Sequence, residues 1–382
     1  MEFTKYKLNE LGTFFSGGTP STKNSEYWDG NIPWITPRDL SGYKCKYISS
    51  GERSITELGL QKSSAILIPK RSVLMSSRAP IGYVVINENE VTTNQGFKSI
   101  NCNEDKCLNE YMYYWIKNNV DYIISKSNGS IFKEISGTSF KELIVKVPSL
   151  INQTKIVNIL SKIDKKIELN NEINNNLYEL GDTLYKNYYS QYDGNLPYGY
   201  TYKKLNEVST NLDAKRKPMS SRERERHKGI YPYYGATSII DYVDNYIFDD
   251  TYLLMGEDGT VKTDSGNPVL QYIWGKNWIN NHAHVLKGTN ISTEHLLFAL
   301  RKVNIESLIT GAVQPKINQE NMNKIQVVIG PSEINEEFEN LIKPIMEKSK
   351  IIVEENKTLE QLRDTLLPKL MNGEIDLENI EI

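Results

Sequence analysis

Two stretches of the chain space their inward residues alternately four and three positions apart, the rhythm that keeps one face of an α-helix against another helix. In the first, Ile156, Leu160, Ile163, Ile167, Asn170, Asn174, Leu177, Gly181, Leu184 and Tyr188 keep that spacing. Moved on by 182 positions, the same seam falls on Phe338, Ile342, Ile345, Ser349, Ile352, Asn356, Leu359, Arg363, Leu366 and Leu370. Asn174 and Asn356 are equivalent seam positions. A buried asparagine weakens a seam but favours the register in which amides pair, so the two helices are expected to pack on each other. Pro344 has no N–H to donate and is expected to kink the second helix or to mark where its regular part begins. Ser349 and Arg363 make that second seam less clean than the first.

The remaining blocks alternate on the two-residue period of strands and then switch to a helical one. In the first block AILIP (65–69), SVLMS (72–76) and GYVVIN (82–87) are expected strands, followed by a helix near 108–120. In the second, TYLLMG (251–256), PVLQYIWG (268–275) and HVLKG (284–288) precede a helix near 293–303. The blocks are diverged copies. NEYMYYWI (109–116) matches TEHLLFAL (293–300), and GSIFKEIS (129–136) lies over GAVQPKIN (311–318) without a gap. Asp182-Thr183-Leu184 recurs as Asp364-Thr365-Leu366, and YKLNELG (6–12) resembles YKKLNEVS (202–209). The expected fold class is therefore α+β, twice, as a pseudo-two-fold internal repeat. Heads at 1–148 and 196–330 alternate with helical spacers at 149–195 and 331–382, and the spacers pack as an antiparallel coiled coil. A helix of roughly 35 residues, rising about 1.5 Å per residue, is expected to hold the heads on the order of 50 Å apart.

Charge alters this picture only when it is divided. The 382 residues carry a net charge of −3, which by itself argues against nucleic acid. By segment, the heads are +3 and +2, the first spacer −1 and the second spacer −7. Any contact with a polyanion is therefore expected on the heads, and the acidic second spacer is expected to meet protein rather than DNA. No run approaches the roughly 18 apolar residues that span a bilayer. The N-terminal MEFTKYKLNE lacks an apolar signal core, and three cysteines give no disulfide framework, so a cytoplasmic protein is expected.

One tetrapeptide points to catalysis. Asn195-Leu196-Pro197-Tyr198 is the kind of sequence with which methyltransferases hold an exocyclic amine, the asparagine and the prolyl carbonyl accepting its hydrogens while the aromatic ring stacks. No strand followed by a glycine-rich AdoMet loop accompanies it, and Asp193-Gly194-Asn195 before Pro197 is turn chemistry. Cys102 and Cys107 lack a second ligand pair at zinc spacing, and His282-Ala-His284 lacks a nearby third ligand, so no metal is expected. No P-loop, no G-x-S-x-G and no H-E-x-x-H occurs.

Several strings resemble the DNA-specificity subunits of Type I restriction-modification systems. They are LGTFFSGGTPSTKNSEYWDGNIPWITPRDL (11–40), SVLMSSRAPIGYVVINENEVTTNQGFKSI (72–100), GSIFKEISGTSFKELIVKVPSL (129–150), KIVNILSKIDKKIELN (155–170) and LRDTLLPKLMNGEIDL (362–377). The second block is similar to the family's other reader type, through Gly256-Glu-Asp-Gly259 and Gly311-Ala-Val-Gln-Pro-Lys316. The resemblance implies two target recognition domains, each reading half of a bipartite DNA site, with the helices fixing the gap. It implies no catalysis and no cofactor in this chain. Two modification subunits carrying AdoMet would methylate adenine, and restriction subunits using ATP and Mg would join them. Arginine and lysine are the usual readers of guanine and phosphate, and asparagine, glutamine, serine and threonine serve adenine and backbone. The candidate DNA contacts are Lys23, Arg38, Arg71, Arg78, Gln95 and Lys133 in the first head. In the second they are Lys215, Arg216, Arg222, Arg224, Arg226, Lys262, Gln314 and Lys316, with SRERERHKG (221–229) read as a polar loop. Two alternatives stay open: a single-chain AdoMet-dependent aminomethyltransferase using Asn195 to Tyr198, and a non-DNA scaffold with duplicated interaction domains.

Overall fold

A computed structural model describes residues 1–129, 133–189, 195–311 and 313–377. The chain divides into two compact units, Met1–Asn171 with Glu354–Ile382, and Glu172–Val353. Each unit therefore holds one head together with half of each long helix.

In the first unit Phe3–Lys7 pairs antiparallel with Ile144–Pro148, which stitches the head's two ends together just before the first long helix begins at Leu150. A five-stranded sheet runs Gly12–Ser16, Phe97–Cys102, Val73–Ser77, Ile81–Asn87, Tyr47–Ile48. A second sheet has Trp28–Ile35 between Arg53–Ile55 and the parallel strand Thr92–Thr93. The helix Asn109–Asn118 buries every side chain from Tyr111 to Ile116. Of the expected strands, 72–76 and 82–87 form; 65–69 does not, its backbone bridging only at Ile68, opposite Val91. Pro69 ends the run without a donor and Ile66 points to solvent, so neither face of a strand is completed there.

The second unit repeats the plan. Thr201–Lys204 pairs antiparallel with Gln326–Ile329, and a four-stranded sheet runs Ser209–Asn211, Ala283–Gly288, Tyr252–Gly256, Leu270–Ile273. In the other sheet Lys228–Tyr234 lies between Ile239–Val243 and the parallel strand Lys276–Ile279. The helix Thr293–Leu300 is shorter than expected and is capped by Ser292, whose hydroxyl accepts from the His295 N–H. The SRERER run is a helix, Ser221–Arg226, not a loop. Ser220 and Glu223 close a capping box at its start, which supplies the partners that a short polar helix otherwise lacks.

The long helices, Leu150–Tyr189 and Ser332–Met371, are antiparallel within each unit, since partners rise in number on one as they fall on the other. In the first unit Lys155 Nζ donates to the Leu377 carbonyl, Arg363 to Asp164, and Asn170 Nδ2 to Asn356 Oδ1 at 2.8 Å. Asn356 Nδ2 in turn donates to Asn171 Oδ1 at 2.9 Å. In the second unit Ser349 donates to Asn174, Tyr188 to Glu337 and Tyr189 to Asn335. The second helix runs unbroken through Pro344, so the regular part does not begin after it. Pro344 and Asn340, whose carbonyl loses its donor, both lie on the exposed face, where water replaces the bond.

The seam departs from a strict heptad. Ile156, Leu160, Ile167, Ile352 and Asn356 are buried as expected, whereas Ile163, Asn174, Leu177, Leu184, Ile345, Leu359 and Leu366 are only half-buried. The seam positions Asn170, Gly181, Phe338, Ile342, Ser349 and Leu370 are also buried, but Asp164, Met346, Tyr185 and Leu367, which lie off the seam, are buried as well. The buried faces run 156, 160, 164, 167, 170 and 338, 342, 346, 349, 352, which superimpose on a shift of 182. These steps of 4, 4, 3 and 3 cover fourteen residues in four turns, so the heptad average of 3.5 per turn is kept while the order of the steps changes. The reason is that each helix serves two partners. Ile156, Leu160, Leu367, Leu370 and Met371 complete the first head's core, and Tyr185, Tyr189, Phe338, Ile342 and Met346 the second's. Gly181 fits that role: a Cβ there would overlap the ring of Phe298 from the head's helix.

Lys46 ties the loop at 43–48 to the first long helix. It is 3% exposed, its ammonium donates to Ser161 Oγ at 3.1 Å and lies 4.7 Å from the centre of the Tyr114 ring, and its N–H donates to Glu168. Burial pushes its pKa down to about 8, against the pull of Glu110, Asp164 and Glu168. The folded value lies below the unfolded one, so the penalty is complete below about pH 8 and fades as pH rises toward the ordinary lysine range. Lys46→Met is expected to raise stability at pH 7 by on the order of 1–3 kcal/mol. Urea denaturation across pH 7 to 10 checks this, the gain shrinking as pH rises.

Candidate nucleic-acid interface

In the first head, tight loops bring three of the candidate cations together. Arg78 sits at the turn between Val73–Ser77 and Ile81–Asn87, and the turn is fastened on two sides. Ser77 N–H donates to the Gly96 carbonyl at 2.7 Å, and the Ser77 carbonyl accepts from Ile135 N–H at 3.1 Å. The Asn94 carboxamide accepts from Gly96 N–H, and Asn94 N–H is anchored on the Ile35 carbonyl, directly before the turn that carries Arg38. Arg38, Arg78, Tyr83 and Asn94 line one groove of ≈ 410 Å³, and Arg78, Lys133 and Glu134 line another of ≈ 580 Å³. Arg78 reaches Glu134 at only 3.5 Å, with both side chains nearly half exposed. Gln95 is exposed and accepts from the Thr19 hydroxyl at 2.6 Å. That bond explains the Gly-Gly-Thr-Pro loop, since a Cβ at Gly17 would overlap the Asn94 carbonyl and keep Thr19 away.

Two first-head candidates fall outside this group. Lys23 is an exposed loop residue that lines neither groove. Arg71 adopts a left-handed backbone conformation (φ 65°), lines a separate depression with Tyr47 and Asn87, and is ion-paired with Glu110. Lys98, which the sequence did not single out, is paired in the sheet with Met75, three residues before Arg78. Burial lowers its pKa, Glu134 pulls the other way and Arg78 adds to the fall.

In the second head the expected loops also meet, but most of their charges are spent on each other. Gly259 N–H donates to the Pro315 carbonyl at 3.0 Å and Ile317 N–H to the Glu257 carbonyl at 2.9 Å, joining the 256–259 turn to the 310–317 loop. Arg216 is only 13% exposed and pairs with Glu257 at 2.7 Å and Asp213 at 3.3 Å, and it donates to the Ala283 carbonyl at 2.8 Å. Its guanidinium holds the fold rather than facing outward. Arg224 is likewise committed, to Asp241, the Met219 carbonyl and the Tyr233 ring. Lys262 pairs with Glu306, and Lys316 with Glu257 at 3.2 Å. Lys215, Arg222, Arg226 and Gln314 are exposed.

Asp213, Glu257 and His284 converge closely enough to suggest a metal site. The residues do not fit one, because Arg216 and Lys316 already neutralise the carboxylates. Both His284 ring nitrogens are engaged, Nδ1 with Asp213 at 2.6 Å and Nε2 with the Ile317 carbonyl at 2.9 Å. His282 pairs with Asp258 instead. The hydrogen bond from His284 also holds the Asp213 carboxyl below the usual range, although burial alone would raise it. At the other candidate site, Tyr200 N–H closes a turn on the Pro197 carbonyl and Tyr198 is fully exposed.

Comparison with known proteins now decides the family. The pattern of the Type I restriction modification DNA specificity domain matches residues 1–179 and again 197–361. The chain belongs to the Type I restriction-modification DNA specificity family. It is 30% identical to the Type I restriction enzyme MjaIX specificity subunit of Methanocaldococcus jannaschii, covering 98% of this chain and 94% of that one. It is 24% identical to the EcoprrI specificity subunit of Escherichia coli, covering 90% and 89%. The crystal structure of the S subunit from M. genitalium has the same fold, at TM-score 0.59 and 17% identity over 97% of this chain and 96% of that one. For a member of this family the aminomethyltransferase and scaffold alternatives are not favoured.

For a specificity-family protein the division of charge in the second head gives a clear expectation. Arg216→Ala should cost on the order of 1–3 kcal/mol of stability, because it removes a buried guanidinium shared by Glu257 and Asp213 and leaves the first with Lys316 and the second with His284. Arg222→Ala with Arg226→Ala should change stability by less than about 0.5 kcal/mol each. If these two side chains meet phosphates, removing them lowers the dependence of log affinity on log salt by about 0.9 for each phosphate no longer neutralised. Thermal melting and DNA titrations at several salt concentrations separate the two classes.

Proposed function

We propose that this chain gives a Type I restriction-modification complex its DNA sequence specificity. Each head binds one half of an interrupted, asymmetric site, and the helix pair sets the gap between the halves. The observation that carries this reading is duplication with divergence. Two heads share one backbone plan, closed by the same terminal strand pair and the same parallel strand pair, yet they present different side chains from equivalent loops.

The chain does no chemistry and holds no cofactor in this reading. Adenine methylation is carried out by two modification subunits that bring AdoMet, and cleavage by restriction subunits that use ATP and Mg. Support for two copies of one partner comes from the helices. Leu169 and Leu362 in the first unit are 45% and 46% exposed, and their repeat equivalents Ile351 and Leu180 in the second are 61% and 46% exposed. Each unit thus offers the same pair of uncovered apolar side chains, one from each helix, as a pair of equivalent docking sites requires. No helix among the described residues is long and apolar enough to cross a membrane, which suits work on cytoplasmic DNA.

A genome-wide map of adenine methylation, with the gene present and deleted, tests the proposal. The expected outcome is loss of one interrupted motif whose two halves differ. A map in which deletion changes nothing, in cells shown to express the modification partner, would sink it.

A further inference from the structure

The loops that face outward in the two heads are held by one and the same backbone device. In the first head the 134 position bridges both Arg78 and Asn128, and Ile135 N–H donates to the Ser77 carbonyl at 3.1 Å. In the second head the 316 position bridges both Asp258 and Thr310, and Ile317 N–H donates to the Glu257 carbonyl at 2.9 Å. Residues 128, 134 and 135 map to 310, 316 and 317 by the repeat shift, so Arg78 is the structural equivalent of Asp258 and Glu134 of Lys316. On this shared frame the charges are exchanged. The tip of the hairpin carries a cation in one head and a carboxylate in the other, and the loop facing it carries the opposite sign.

The surroundings fit the exchange. Arg78 is nearly half exposed, is only loosely paired with Glu134, and shares its two grooves with Arg38 and Lys133. In the second head Lys316 is drawn to Glu257, whose equivalent is the uncharged Ser77, and Asp258, whose side chain is 19% exposed, pairs through one carboxylate oxygen with the half-exposed His282 at 2.7 Å. A guanidinium presents donors that match the two acceptors of guanine, O6 and N7, whereas a carboxylate accepts from the N4 amine of cytosine. Resting on the reading of the heads as DNA readers, we infer that Arg78 and Asp258 are equivalent specificity-determining residues of opposite polarity. Arg78 selects guanine at one position of the first head's half-site, and Asp258 selects cytosine at the corresponding position of the second's.

The test compares methylation motifs in cells that express the modification partner with the parent chain, with R78Q, or with D258N. R78Q is expected to relax one guanine position in one half-site and leave the other half-site untouched. D258N is expected to relax one cytosine position in the other half-site. Discrimination at each relaxed position should fall at least tenfold. If R78Q lowers expression of the complex, R78K serves instead, keeping a donor and therefore the same guanine at reduced discrimination. Unchanged motifs, relaxation at another base, or an equal fall of methylation at all sites would each overturn the inference, the last by placing the side chain on phosphate. Absence of any interrupted motif with the parent chain would overturn the underlying reading instead, so the two failures are distinct.

Discussion

Neither head owns a complete core. The first encloses Leu8, Met75, Ile100 and Met112 only by adding Ile156 and Leu160 from one long helix and Leu367 and Leu370 from the other. The second does the same with Tyr185 and Tyr189, and with Phe338, Ile342 and Met346. Each such side chain is worth roughly 1.5–3 kcal/mol to bury, so a set of four or five decides whether a head is stable. Domain and spacer are therefore separable in sequence but not in energy. A helix that must fill a head core and face its partner helix cannot hold a narrow seam, and this accounts for the breadth of its buried face.

In each unit polar pairs interrupt the apolar helix contact that residues such as Ile167 and Ile352 continue. Asp164 with Arg363, Asn170 and Asn171 with Asn356, and Asn174 with Ser349 take positions that leucines would fill more tightly. An unpaired buried amide costs about 1–3 kcal/mol, so slipping the helices by one turn would strand several groups at once. Hydrophobic contacts tolerate such slips far better. These polar pairs thus fix the register at the expense of some stability.

Much of this was legible in the sequence because it rests on repetition. The shift of 182 positions located both helices, both heads and the equivalence of Asn174 with Asn356, and the heptad spacing placed Ile156, Leu160 and Ile352 inward. What the pattern could not show was the second burden on each helix, so Ile345 and Leu366 were expected at positions that Met346 and Leu367 fill. Pro344 reads as a boundary only while its exposure is unknown. Among the candidate DNA contacts, residue type alone could not tell a free cation from a spent one. Arg216 and Arg224 differ from Arg222 and Arg226 only in having carboxylates from distant strands beside them. Lys98 gave no signal, since its neighbours Arg78 and Glu134 meet it only through the sheet.

The division of the chain also sets an order of events at the ribosome. The second unit is one continuous segment, Glu172–Val353, whereas the first needs Met1–Asn171 and Glu354–Ile382 together. The half made first is consequently finished last. Until Leu367 and Leu370 emerge, the first head waits with an open core while a later-synthesised neighbour is already complete, exposing apolar surface for most of the time of synthesis. A message cut short between Val353 and the last helix turns yields a chain whose second head can close and whose first cannot.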